Sequence, residues 1–316
     1  MEKENFNFRT DMADERVDSY KKINNLSEVD GIKVSTDSKD GVHTTIVDVL
    51  NENGEKAISK KIGRYITLEI QDLKYLEEEQ KENIVSMISS MLKELLPQDY
   101  KKSIIVLGLG NEYVTPDSLG PKVVKDIEIT RHLIKLAKEF IDDNTREISA
   151  LAPGVLGTTG IETSEIISAV VEKAKIDVII AIDSLASQNM DRLGTTIQIT
   201  NTGITPGSGV QNKREGITQE VLHVPVIAIG VPTVVDMASI TNEAIDKMIH
   251  QVGNEEEKAE KEEKLFSDLE KDERYQMIAK LLDTKNYMVT PKDIDAVIEI
   301  VSNMISKSIN LSLKVE

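Results

Sequence analysis

The sequence predicts an α/β fold: a three-layer sandwich around a mostly parallel sheet, with a small N-terminal antiparallel β unit and C-terminal helices. In the middle of the chain, short and nearly continuous apolar runs alternate with amphipathic segments. Such runs are typical of strands covered on both faces of a parallel sheet, and their alternation with helices is typical of a layered α/β domain. The predicted strands are residues 103–109, 148–152, 177–182 and 224–230, and the predicted helices are 120–127 and 160–175.

The residues before this core divide into three parts. Residues 1–30 are polar and have no regular period, which indicates a weakly ordered leader. Residues 31–71 alternate between apolar and polar side chains, which predicts an antiparallel β unit with a two-residue hairpin turn at Asn53-Gly54. Residues 76–96 carry apolar side chains at helical spacing and predict an amphipathic helix.

The α/β core is expected to span residues 100–252, and strict alternation at 195–200 predicts an edge strand within it. Residues 253–274 are densely charged, which favours an exposed linker or insert. Pro291 then opens a long apolar-periodic segment, so that residues 275–316 are expected to be helical.

The composition limits the classes of function. The 316 residues include 38 Lys and Arg against 55 Asp and Glu, a net charge of −17, which disfavours binding to nucleic acid and to anionic membranes. The chain has no cysteine, which excludes disulfides, thiolate nucleophiles and cysteine-ligated metals. No apolar run approaches the ~20 residues of a membrane span, and the first residues do not form a signal peptide. We therefore expect a soluble, cytoplasmic protein.

Two acids follow predicted strands, at positions where ligands gather in open α/β sheets. Asp183 comes directly after the apolar run 178–182, and Asp117 lies in the glycine-rich loop that begins at Gly108. An acid that emerges from an apolar run is costly to bury unless it has a partner or a catalytic role. We expect Asp117 and Asp183 to meet at one sheet edge, where two close carboxylates share a proton and activate water for amide hydrolysis.

Other interpretations of these residues stay open at this point. Asp117 would also serve as a helix cap, and the two aspartates with a third acid would suit a hard divalent ion. Nucleotide binding is disfavoured because the loop lacks both the third glycine of the dinucleotide motif and the Gly-Lys-Ser/Thr of a P-loop. Ser208 lies outside any Gly-x-Ser-x-Gly motif, and the four histidines form no His-Glu-x-x-His motif. An inactive binding scaffold is the alternative from another class.

The two acids lie in motifs that resemble those of the germination protease family of spore-forming bacteria. The resemblance is carried by residues 107–121, with Gly108-Leu109-Gly110-Asn111 and Thr115-Pro116-Asp117-Ser118, and by Ala181-Ile182-Asp183-Ser184-Leu185-Ala186. It extends through residues 9–13, 63–69, 130–133, 152–155, 159–163, 205–210, 230–236 and 288–292, and is weakest at 253–274. The core is also similar to the hydrogenase-maturation endopeptidases, which share the Gly-x-Gly-Asn loop.

This resemblance implies an atypical aspartic endopeptidase that is made as a zymogen and removes its own leader. The family's two aspartates fall on Asp117 and Asp183, and its cleaved step falls on Asp11–Met12. A propeptide at 1–11 and a single protease domain at 12–316 follow from that assignment. The implied substrates are small acid-soluble spore proteins, the implied assembly is a homotetramer, and the implied location is the cytoplasm of the spore core.

The hydrogenase-maturation enzymes bind a metal with an acid at each matching position and a histidine. No equivalent histidine is evident in this chain, so a metal-free site without any cofactor is expected here.

A further candidate segment is Thr158, Thr159 and Gly160. Thr159-Gly160-Ile161-Glu162 matches a capping box, which predicts that these residues start a helix near the edge that holds Asp117. Free backbone N–H groups at such a start would bind a peptide carbonyl or a developing oxyanion.

Overall fold

The computed structural model describes residues 10–137, 139, 141–142, 145–205, 215–252, 274–275, 277–278 and 287–314. Nine strands in these residues form one mixed sheet, in the order β1-β2-β3-β7-β8-β6-β4-β5 with β9 paired to β8. The strands are β1 (Ile32–Lys39), β2 (Val42–Val49), β3 (Gly63–Ile70), β4 (Ile104–Gly108), β5 (Ile148–Leu151), β6 (Val178–Ser187), β7 (Thr196–Thr200), β8 (Val226–Asp236) and β9 (Met288–Val289).

The centre of the sheet is parallel, because β5, β4, β6 and β8 all run in one direction. The remaining pairings are antiparallel. The predicted α/β class with a parallel centre is therefore confirmed. The N-terminal antiparallel strands continue that same sheet, since β3 pairs with β7.

Helices cover both faces of the sheet. They are α1 (Ala13–Asn24), α2 (Glu52–Ile58), α3 (Glu78–Leu95), α4 (Leu119–Lys125), α5 (Arg131–Leu136), α6 (Leu156–Thr159), α7 (Thr163–Ala174), α8 (Gln219–Leu222), α9 (Met237–Val252) and α10 (Ile294–Leu313). The apolar stripes of α3, α4 and α10 pack on one face. On the opposite face, α7 packs over the parallel strands and α1 packs over β2 and β3. The predicted helices at 76–96 and after Pro291 correspond to α3 and α10.

The predicted edge strand at 195–200 is wrong in its position. It is β7, and it is hydrogen-bonded to β3 on one side and to β8 on the other. The polar side chain of Gln198 on this strand is buried because the N-terminal segment lies on it: Ala13 N donates to Gln198 Oε1 over 2.8 Å.

The predicted hairpin turn at Asn53-Gly54 is also wrong. These residues lie in α2, where the side chain of Asn51 accepts hydrogen bonds from the N–H groups of both. The hairpin turn lies instead at Asp40-Gly41, which joins β1 to β2 with φ values of 51° and 77°. Positive φ at both central residues is the geometry that two-residue hairpins favour.

The described part of the predicted leader is ordered, contrary to the sequence interpretation. Residues 13–24 form α1, and Thr10, Asp11, Met12 and Ala13 are all buried. The apolar period is weak there because several of the buried side chains are polar, among them Asp14 and Arg16. Residues 1–9 and nearly all of the charged block 253–274 lie outside the described residues. No helix in the described part of the chain combines the length and apolarity that a bilayer crossing requires.

Candidate active site

Asp183 lies where β6 extends past the end of β4. The last pair between these strands is Gly108 with Ile182, and Leu109 N then donates to Ile182 O over 2.8 Å. Asp183 is the next residue, with only 5 % of its surface exposed. Its Oδ1 accepts a hydrogen bond of 2.9 Å from Ser184 N. Asp183 is therefore a buried residue inside β6, paired with Gly230 of β8, and the strand predicted to end at residue 182 continues to Ser187.

Asp117 ends a 3-10 turn, Thr115–Asp117, that leads into α4. This turn packs against β6 and β8. The loop after β4 closes on it, since Asn111 N donates to Asp117 O over 3.0 Å. The N-cap of α4 is Ser118, so the capping interpretation of Asp117 is wrong. The loop after β4 is therefore hydrogen-bonded both to β6, next to Asp183, and to the turn that carries Asp117.

Gly110 is the residue that lets this loop close. Its φ is +108°, and a Cβ there would lie 2.1 Å from Asp117 O and 3.0 Å from Asp117 Oδ1. The carboxyl group of Asp117 therefore lies directly against the Gly110 backbone, and a side chain at this position would displace it.

We expect Gly110→Ala to lower the free energy of unfolding by about 2 kcal/mol or more, from backbone strain and overpacking, and to lower activity by moving Asp117. Gly157→Ala is the matched control, because a Cβ at Gly157 meets nothing within 4 Å. Urea unfolding and a peptidase assay measure both effects. A Gly110→Ala protein as stable and active as the Gly157→Ala protein would contradict the expectation.

The segment Thr158-Thr159-Gly160 does not start a helix. Thr159 ends the short helix α6, and Gly160 is its left-handed C-cap with φ of 72°. The N–H groups of these residues already donate to Val155 O and Leu156 O. The helix after the segment begins at Thr163. The expectation of free N–H groups for an oxyanion is therefore wrong, because the local turn uses them.

The N-terminal segment lies on the same sheet face as Asp183. Gln198 of β7 and Asp183 of β6 both pair with Gly230 of β8. Residues paired across neighbouring strands point to the same face of the sheet, so Gln198 and Asp183 share a face. Asp11 bonds to β6 at two points: Asp11 N donates to Ala186 O over 2.9 Å, and Ala186 N donates to Asp11 Oδ2 over 3.0 Å. The predicted cleavage step Asp11–Met12 is thus buried on the strand that carries Asp183.

Two residues that the sequence interpretation missed bind the carbonyl oxygen of Asp11. Lys60 Nζ donates to it over 2.6 Å, and Gln198 Nε2 donates over 3.2 Å. Burial of the ammonium group, and next the positive charge of Arg16, lower the pKa of Lys60 to about 7. Neither residue belongs to a recognisable motif, and no sequence signal would have identified them.

A buried ion cluster fixes α1 next to this segment. Arg192 bonds to Asp14 and Glu15 of α1 and, over 2.6 Å, to Glu69 of β3. Burial alone would lower the pKa of Arg192, but the hydrogen bonds and charges of these acids raise it. Glu15 also accepts from Ser187 Oγ over 2.6 Å. The cluster holds the start of the described chain against the end of β6.

The metal interpretation requires a third ligand beside the two aspartates. Within the described residues, no three His, Asp or Glu side chains converge so that they could hold a metal ion.

Comparison with known families identifies the chain. A family model described as germination protease matches residues 9–267, a range that includes both aspartates and the Asp11–Met12 step. The chain belongs to the germination protease family.

Individual relatives agree with this assignment. The chain is 44% identical to a germination protease of Clostridium perfringens over 98% of its own length and 96% of the relative's. It is 43% identical to one from Caldanaerobacter subterraneus, with 97% and 94% covered. It is 41% identical to one from Priestia megaterium, with 99% and 96% covered. The predicted family and the predicted protease function are confirmed.

Among solved structures, the chain is similar to a [NiFe] hydrogenase maturation protease from Thermococcus kodakarensis. The TM-score is 0.31 at 18% identity, with 45% of this chain and 80% of that chain covered. A likeness this distant supports no statement about the germination protease site.

Proposed function

We propose that this germination protease is the endopeptidase that begins the degradation of small acid-soluble spore proteins in the germinating spore, and that Asp117 and Asp183 activate the attacking water. The observation that supports the proposal is the loop after β4, which is hydrogen-bonded next to Asp183 and to the turn that carries Asp117, with a peptide segment of the chain itself on the same sheet face as Asp183. The spore-core location and a homotetrameric assembly are parts of the same proposal.

The chemistry needs one ionised and one protonated carboxyl group. Two adjacent carboxyl groups share a proton, because ionising both would place two negative charges side by side. The ionised member takes a proton from water as the water attacks the peptide carbonyl carbon. The protonated member then gives its proton to the leaving amine. Asp183 suits such a role because it is nearly fully buried. Contact of substrate with the exposed Thr158-Thr159-Gly160 segment remains a prediction.

The proposal includes synthesis as a zymogen that cuts itself between Asp11 and Met12. The segment supports it: Asp11 is held against β6 as an extended substrate strand would be, and Met12 is fully buried. While the segment occupies that face, a spore protein cannot bind there. Release of residues 1–11 would open the face irreversibly.

N-terminal sequencing tests the zymogen proposal. After incubation of the purified full chain at mildly acidic pH, we expect a new N-terminus at Met12 in the wild type and an unchanged Met1 in Asp183→Asn. Cleavage of a small acid-soluble spore protein should appear with the new terminus. A chain that still begins at Met1 and already cleaves spore proteins would refute the zymogen claim.

Two alternatives lead to different results in the same assay. A metal-dependent peptidase would lose activity with EDTA and regain it with one divalent ion. An inactive binding scaffold would bind spore proteins without cleaving them, in wild type and Asp183→Asn alike.

A further inference from the structure

We propose that Lys60 and Gln198 are catalytic residues of the self-cleavage step: they bind the carbonyl oxygen of Asp11 and stabilise the negative charge that develops on it when the Asp11–Met12 bond is cut. This inference rests on the proposed function, because it takes Asp11–Met12 as the bond that is hydrolysed.

The two donors converge on one oxygen. Lys60 Nζ lies 2.6 Å and Gln198 Nε2 lies 3.2 Å from Asp11 O. They come from separate parts of the fold, the loop after α2 and the middle of β7. Oxyanion sites in hydrolases have this form, with two fixed donors at hydrogen-bond distance from the oxygen that acquires charge.

Gln198 also contacts the chain on the other side of the same bond. Its Oε1 accepts from Ala13 N over 2.8 Å, while its Nε2 donates to Asp11 O. One side-chain amide therefore spans the Asp11–Met12 peptide and sets its orientation on the sheet. Gln198 and Asp183 both pair with Gly230, on strands that lie on either side of it. At the usual strand spacing their Cα atoms are about 10 Å apart.

Lys60 is held in place by Arg16. The Arg16 guanidinium donates to Ile58 O and Ser59 O, over 3.2 and 3.0 Å, and to Thr10 O over 2.9 Å. It thus ties the loop that carries Lys60 to the residue before Asp11. The Lys60 ammonium also lies 5.8 Å from the centre of the Tyr65 ring, a distance suited to a cation–π contact.

The step balances with water as the only co-reactant. The ionised aspartate takes a proton from water, the water oxygen bonds to the Asp11 carbonyl carbon, and the carbonyl oxygen becomes an oxyanion between Lys60 Nζ and Gln198 Nε2. When the oxyanion reforms the carbonyl, the bond to Met12 N breaks and the protonated aspartate supplies the proton to that nitrogen. Lys60 keeps its own proton throughout, and the new carboxylic acid of Asp11 releases its proton to water and leaves as a carboxylate.

The charge on Lys60 gives this step a pH dependence. The charged groups that face Nζ are Arg16, Asp11 and Asp14, and with burial they place its pKa at about 7. Below pH 7 the ammonium form predominates and stabilises an oxyanion well. Above pH 7 the amine is neutral and does so poorly. We therefore expect self-cleavage to slow as the pH rises through 7.

Removal of residues 1–11 would leave both donors available to a second peptide. The carbonyl of a spore-protein bond would then bind at the same place as that of Asp11, so that Lys60 and Gln198 would act on both reactions.

The test compares the first-order rate of appearance of the Met12 terminus in four full-length proteins: wild type, Lys60→Met, Lys60→Arg and Lys61→Met. Lys61 is the matched control, because it is the next residue, exposed, and paired on the surface with Glu55 and Glu220. At pH 6 we expect Lys60→Met to be slower by about 100-fold, the usual effect of losing one oxyanion donor, and Lys61→Met to equal wild type. Lys60→Arg, which stays charged at every working pH, should extend the rate above pH 7.

A Lys60→Met protein that cuts itself within threefold of the wild-type rate, or faster, would overturn the inference. So would a decline above pH 7 that is the same in Lys60→Met as in wild type. Thermal melting confirms that each variant is folded; if Lys60→Met is not, Gln198→Met gives the corresponding loss of the other donor and decides the matter.

Asp183→Asn in the same series separates the two proposals. If it still produces the Met12 terminus, the aspartate mechanism fails whatever Lys60 does. If Asp183→Asn is blocked while Lys60→Met is not, the aspartate mechanism stands and the role of Lys60 is wrong.

Discussion

Asp183→Asn and Asp117→Asn should each lower the rate of spore-protein cleavage about 1000-fold, within the range that acid–base groups contribute, and leave the fold intact. An amide in place of either carboxyl can neither accept a proton from water nor donate one to the leaving amine at neutral pH. Asparagine has nearly the same shape as aspartate, so packing at the sheet edge is preserved. Initial rates on a purified spore protein, with circular dichroism for the fold, measure the effect.

Asp126→Asn is the matched control for this experiment. Asp126 lies just past the other end of α4 and is exposed, so the same chemical change there should leave the rate within twofold. Full activity in either Asp117→Asn or Asp183→Asn would remove the aspartate assignment. Loss of wild-type activity in EDTA with recovery in one divalent ion would replace it with the metal mechanism.

Arg192→Met should lower the free energy of unfolding by about 3 to 5 kcal/mol, the usual cost of removing one partner from a buried ion cluster. Without the guanidinium, Asp14, Glu15 and Glu69 lose the positive charge that binds all three of them. Because two of these acids belong to α1, we also expect the N-terminal segment to detach from β6. Urea unfolding at pH 7 measures the stability, and limited proteolysis followed by mass spectrometry locates the detached segment.

Arg64→Met controls for the loss of a surface ion pair. Arg64 binds Asp48 on an exposed strand end, with 44% of its side chain accessible, and its removal should cost less than about 1 kcal/mol. If Arg192→Met unfolds at the same urea concentration as Arg64→Met, the cluster does not fix α1 as described.

Much of the core is predictable because its local pattern and its burial agree. The apolar runs that became β4, β6 and β8 have no polar interruption, since both of their faces are covered. An acid directly after an apolar run is costly to bury without a partner or a role, which is why Asp183 is recognisable from sequence, although β6 continues past it to Ser187. Local pattern is misleading where polar side chains are buried by partners far along the chain, as at Asp14, whose partner is Arg192.

Local sequence patterns and long-range contacts contribute differently to the functional residues as well. The family motifs, the parallel strands and the two aspartates can be read from consecutive residues, because each motif and each apolar run is short and continuous in the chain. The contacts of the Asp11 carbonyl cannot, because Lys60 and Gln198 lie 49 and 187 residues away along the chain. Only the pairing of β3 with β7, together with the packing of α1 over β2 and β3, brings these two donors to one oxygen atom.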